Sequence, residues 1–149
     1  MTKAFKPRLP LAAALIGLFP VFQSADAASV ASPNGEIVLN CDTDAAGIAR
    51  YEVLFHGKPV ILPSALGFSF TDGSAIADKL EIVDEVRHSF SETYELPWGE
   101  RRLVENTYNE LELTLRQKEA PGLLFTLAFR VYDDGLGFRY EFPEQNGVK

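Results

Sequence analysis

The residues best suited to chemistry fall in two neighbouring stretches. "ELPWGERR", Glu95 to Arg102, holds the sole tryptophan, Trp98, between a proline and a glycine. An indole on so stiff a turn can stack on a sugar ring, while Glu100, Arg101 and Arg102 bond hydroxyl groups or orient one another. Tyr108-Asn109-Glu110 follows and invites the same reading, so the sugar-contact candidates are Trp98, Glu100 and Asn109. The plainer alternative has Trp98 plugging the end of a folded body while the charges form surface pairs of little weight. Glu110 and Glu112 would stand about 7 Å apart on one strand face, and paired carboxylates are the means by which glycosidic bonds are cleaved with acid and base help. A solvated polar face accounts for them more simply, and no residue is assigned as catalytic.

Other chemistries find no foothold. A glycine-rich phosphate loop, a G-x-S-x-G elbow, Cys-x-x-Cys, His-Glu-x-x-His and an EF-hand ladder are all missing. His56 falls in a turn as a solvated residue, and His88 falls in an alternating stretch as a packed or hydrogen-bonded one. Two histidines do not make a histidine-rich metal site, and no metal ligand is assigned. Cys41, the only cysteine, lies in "IVLNCD" as a buried, inert thiol.

The elements that must position these residues begin after a leader. Lys3, Lys6 and Arg8 precede an apolar run from Leu9 to Phe22 that ends on Ala25-Asp26-Ala27. That order predicts a signal peptide over 1–27, with a single domain over 28–149 and a periplasmic or secreted location. The run is too short, and too interrupted by Pro10 and Pro20, for a membrane span, and the rest holds no second long apolar run. Cleavage leaves 11 basic against 20 acidic residues, a net charge of −9. Phosphate backbones repel such a chain, so nucleic acid is not an expected partner.

Past the leader, strand patterns follow one another. "EIVLNC" reads as a strand and "IARYEVLFHGKPVILP" as a hairpin across His56-Gly57-Lys58. Lys79 to Tyr94 fits period two, with Leu80 and Ile82 and then Val86, His88 and Phe90. "YNELELTLRQ" sets Leu111, Leu113 and Leu115 on one face. "LLFTLAFRVY" turns Phe125, Leu127, Phe129 and Val131 inward, and Leu136, Phe138, Tyr140 and Phe142 follow an Asp-Gly turn expected to be type I′ or a bulged loop. Eight or nine short strands and no substantial helix predict an all-β, antiparallel sandwich. The last hairpin has apolar residues on both faces, as suits the middle of a larger sheet.

"ETYELPWGERRLVENTYNELELTL" followed by "FRVYDDGLGFRYEFPEQ" resembles the N-terminal domain of glycoside hydrolase family 97, exported bacterial α-glucosidases and α-galactosidases. "SPNGEIVL" and "YEVLFHGKPVILPSALGFSF" resemble its opening strands, so the likeness runs from Ser32 to Gln145. The resemblance implies a galactose-mutarotase-like β-supersandwich, continuing past "YEFP" and followed by a catalytic (β/α)₈ barrel that this chain lacks. It implies a Gram-negative setting, an α-glucoside or α-galactoside as carbohydrate partner, and Ca2+ for the intact enzyme but no cofactor in this chain. On that reading the chain is an inactive N-terminal scaffolding or carbohydrate-binding part of an α-glycosidase. The alternatives are a free-standing periplasmic carbohydrate-binding module, or a subunit that completes its sheet with a partner's strand.

Overall fold

A computed structural model describes residues 27–71, 75–98, 102–120 and 122–145. The expected leader up to residue 26, and Glu100, thus lie outside the described residues. One antiparallel sheet consists of β1 (Ala28–Ala31), β2 (Ile37–Thr43), β3 (Ala49–Phe55) and β4 (Lys58–Ala65) in that spatial order. A small pair, β5 (Phe68–Ser69) and β6 (Ala75–Ile76), leads to the second sheet. That sheet holds β7 (Leu80–Glu95), β8 (Leu103–Gln117), β9 (Leu124–Tyr132) and β10 (Gly135–Glu141), ordered β10-β9-β8-β7. The described residues contain no helix, and the all-β antiparallel sandwich is what the alternation dictates.

The core lies where the inward rows meet. Leu111, Leu113 and Leu115 of β8 and Phe125, Leu127, Phe129 and Val131 of β9 are essentially inaccessible, and they pack on Leu39, Cys41 and Val53 of the other sheet. Tyr51 bridges the layers, its ring 6.4 Å from Phe129 and 5.6 Å from Phe138. At one end the layers touch through backbone: Leu80 N donates to Gly47 O at 2.9 Å, and a Cβ on Gly47 would stand 2.6 Å from Leu80 N. Gly47 also has φ +73, so both space and conformation require glycine there.

Several expectations need correction. The strands are not all short, since β7 and β8 run to 16 and 15 residues. β1 has too few residues to show a period, and it forms because β2 offers it a four-pair ladder. The shift between Ile82 and Asp84 inserts Val83 as a bulge, which sends Leu80 and Ile82 to the core side and Val86, His88 and Phe90 to the outer side. His88 is therefore exposed rather than packed, whereas His56 is the exposed turn residue expected. His56 and Gly57 both take positive φ, 49° and 72°, making a type I′ turn. The Asp133-Asp134 turn is not of that kind, for neither aspartate nor Gly135 takes positive φ. Gly135 already pairs with Tyr132 as a strand residue, and the Asp133 carboxylate accepts from Asn34 N at 2.8 Å.

Candidate functional site

β9 pairs with β8 only from Asn109 to Arg116, whereas β7 stays paired with β8 out to Glu95–Leu103. Six residue pairs, Phe90–Tyr108 to Glu95–Leu103, thus leave the sandwich as a two-stranded arm about 20 Å long. Register sorts its two faces. Phe90, Tyr94, Val104 and Tyr108 share one face with Glu92 and Asn106, while Ser91, Thr93, Glu105 and Thr107 share the other. The first face continues the outer surface of the second sheet.

Trp98 sits at the arm's tip, 84% exposed, so it plugs nothing. Length explains this: a 16-residue strand carries the turn beyond the sandwich end that the indole would have closed. Glu95, Leu96, Pro97, Trp98 and Arg102 line an open depression of about 600 Å³. The Arg102 guanidinium grips the Glu95 carboxylate at 3.1 and 3.2 Å, which steadies the strand ends beside the indole.

Asn109 lies at the opposite end of the arm. Its Nδ2 donates to the Ala31 carbonyl at 2.9 Å and its Oδ1 accepts from Ser89 Oγ at 2.7 Å. Arg87 likewise donates to the Ser29 carbonyl. The two outward carbonyls of edge strand β1 are thus capped by side chains from β7 and β8. The structure does not bring Trp98 and Asn109 together, since six register steps separate them.

Glu110 is not part of a solvated face. It is 6% exposed on the outer side of β8, bonded to Arg130 Nε and 3.5 Å from Arg139 Nη1. Arg130 in turn lies 4.6 Å above the Tyr108 ring, which packs on Phe90 at 5.1 Å and Tyr132 at 5.2 Å. Burial pushes the Glu110 carboxyl up, but the bonds from Arg130 and Glu112 and the charges of Arg130 and Arg139 outweigh it and hold it below the usual value. Glu112 moves the other way, through burial and then through the hydrogen bond and charge of Glu110. The register brings the cluster together: Arg130 of β9 stands directly across from Glu110, and Arg139 of β10 stands across Ala128 from Glu112.

Such an arrangement offers a platform and an anchored arm. Calcium finds no cage here: among the described residues no three His, Cys, Asp or Glu side chains converge, and Glu110 is already satisfied by two guanidinium groups.

Comparison with known proteins adds what geometry alone does not. The family described as glycosyl-hydrolase 97 N-terminal matches residues 30–149. This chain belongs to that family. A family 97 enzyme from Pseudoalteromonas sp. strain K8, solved with acarbose, superposes with TM-score 0.76 at 33% identity, over 80% of this chain and 18% of that one. A substituted variant of a family 97 enzyme from the same strain, solved with panose, gives TM-score 0.76 at 34% identity over the same shares. A β-arabinopyranosidase shares the fold, with TM-score 0.71 at 24% identity. A probable retaining α-galactosidase of Streptomyces bingchenggensis is 29% identical over 115 residues, 77% of this chain and 17% of that protein. The family 97 chain thus spans less than a fifth of the length of these relatives.

Proposed function

We propose that this family 97 N-terminal sandwich is the scaffolding part of an exported α-glycosidase, acting on an α-glucoside or α-galactoside, with hydrolysis carried out by polypeptide outside the matched stretch. The arm carries this reading. Phe90 and Tyr94, both partly exposed, stand with Val104 on one face of a two-stranded ribbon, and an 84% exposed indole crowns it. Exposed tryptophan is uncommon on a surface that stays in water. In the assembled enzyme the arm's apolar face braces the catalytic body and Trp98 lies at the wall of the sugar pocket. The solved relatives bound to acarbose and panose support a carbohydrate partner, and the leader-like first 27 residues support export.

The experiment has two arms. The purified chain releases no nitrophenol from nitrophenyl α-glucoside or α-galactoside. The Pseudoalteromonas enzyme with its matched stretch replaced by that of this chain does release it, and loses rate on Trp98→Ala. Turnover by the chain alone contradicts the proposal. The exposure of Trp98 also favours a second reading, a free-standing carbohydrate-binding module, which requires the indole emission to shift with millimolar maltooligosaccharide in the isolated chain.

A further inference from the structure

The turn between β1 and β2 reads Ser32-Pro33-Asn34-Gly35. Asparagine before glycine is a thermolabile pair, because a residue without a Cβ leaves its peptide nitrogen open to the asparagine side chain. Asn34 and Gly35 are exposed, and among the described residues nothing lies within 4 Å of where a Cβ on Gly35 would stand. The reacting atoms are neighbours on the chain, so no second molecule has to bring them together.

The fold nevertheless engages both of them. Gly35 N donates to Ser32 O at 2.8 Å, closing a β-turn with Pro33 at its second position. Asn34 Oδ1 accepts from Ser32 Oγ at 2.6 Å and from Glu36 N at 3.0 Å. Ser32 is 2% exposed and is itself anchored to β2: its N donates to Ile37 O at 2.8 Å and its Oγ accepts from Ile37 N at 3.0 Å. A buried serine thus holds the attacking nitrogen through its carbonyl and the amide under attack through its hydroxyl.

We propose that Asn34 is a site of spontaneous deamidation, held in check by Ser32. Hydroxide takes the proton from Gly35 N, the nitrogen forms a bond to Asn34 Cγ, and the Cγ–Nδ2 bond breaks. The departing nitrogen takes a proton from water and leaves as ammonia, which regenerates the hydroxide. Water then opens the imide ring at either carbonyl, leaving an aspartate or a β-linked isoaspartate at position 34. While Ser32 O holds the Gly35 N–H, that nitrogen neither sheds its proton nor turns to Cγ, so conversion waits for the turn to open. Opening breaks the bonds of a buried hydroxyl and carbonyl, which keeps it rare. Conversion also undoes a tie between the layers. Asn34 N donates to the Asp133 carboxylate at 2.8 Å, and Asn34 Nδ2 donates to a Glu36 carboxylate oxygen at 3.4 Å. A new carboxylate between these two repels both, and the β-linked product lengthens the backbone inside the turn.

The test is peptide mapping by mass spectrometry of the full purified chain, held folded or unfolded in guanidinium at mildly alkaline pH. Conversion at Asn34 is read separately from that at Asn146-Gly147, the other pair of this type. Unfolding is expected to speed conversion at Asn34 by at least about tenfold. Ser32→Ala, confirmed as folded by circular dichroism, is expected to speed it in the folded chain by about five- to tenfold. Asn34→Asp, which stands in for one product, is expected to lower the urea midpoint. Equal rates in the folded and unfolded chain overturn the proposal, as does a folded Ser32→Ala variant that converts no faster. An unchanged midpoint in Asn34→Asp overturns the link between conversion and the loosened layers. Should Ser32→Ala not fold, the ratio of folded to unfolded rates decides by itself.

Discussion

The Asn109 amide donates to the Ala31 carbonyl across the gap between the two sheets, at 2.9 Å. This bond pins the root of the arm to β1 of the other layer. Asn109→Ala leaves the Ala31 carbonyl and the Ser89 hydroxyl without that partner, and a loss of about 1–2 kcal/mol is expected in urea unfolding. Asn109→Asp is expected to be worse than Asn109→Ala, because a carboxylate cannot donate to a carbonyl.

Trp98→Ala is expected to leave the melting temperature unchanged, within about 0.5 kcal/mol of stability. The side chain is 84% exposed and covers no core residue. Its native emission is expected to be close to that of the unfolded chain. A blue-shifted native emission lost on unfolding would place the indole in an apolar site instead.

Glu110 and Glu112 set opposite acid responses. Glu110 lies below its ordinary value of 4.5, so its stabilisation is present above that pH and is lost as pH falls through the folded-state value beneath it. Glu112 lies above 4.5, so protonation favours the folded form, and stability gains as pH falls through its folded value towards 4.5. Urea midpoints against pH are expected to rise slightly on approach to pH 4.5 and then fall. Glu112→Gln is expected to reduce the rise and Glu110→Gln the fall, the rest of the fall coming from Asp44, which is also held below its ordinary value.

Cys41 is 1% exposed, and burial, with the nearby Asp42 charge, pushes its thiol up to about 12. A raised folded-state value means that its contribution is whole below the unfolded value of 9 and is lost as pH rises from there through about 12. Alkaline unfolding is expected to soften in Cys41→Ala. A thiol reagent is expected to react with the native chain only at the rate of unfolding.

Gly47→Ala is expected to be the most damaging single methyl, costing about 2–4 kcal/mol. Its Cβ would meet the backbone of Leu80 and Lys79 at 2.6–2.8 Å, and φ is +73. Gly137→Ala, with nothing within 4 Å of the added atom, is the control and is expected to be near neutral.

The strands of the second sheet were legible because the large side chains of "ELELTL" and "FTLAFRV" fall on every second residue, which fixes the face each strand turns to the core. The bulge at Val83 was not legible, because a one-residue slip keeps a period of two on either side of itself. The arm escaped for a related reason. Alternation reports that two strands exist, while the point where β9 stops covering β8 is a property of three strands together. Hence Trp98 could be read as a plug. Glu110 was misread because its environment comes from Arg130 and Arg139, 20 and 29 positions away, which only pairing brings alongside. The family resemblance carried across all of this, since its motifs lie on β7 to β10.

The central claim is that this chain scaffolds a glycosidase and does not itself cleave glycosides. The most direct measurement is nitrophenol release from nitrophenyl α-glucoside and α-galactoside by the purified chain. Release at the buffer rate is expected, unchanged by Glu110→Gln or Glu112→Gln. Saturable turnover that either substitution abolishes would contradict it.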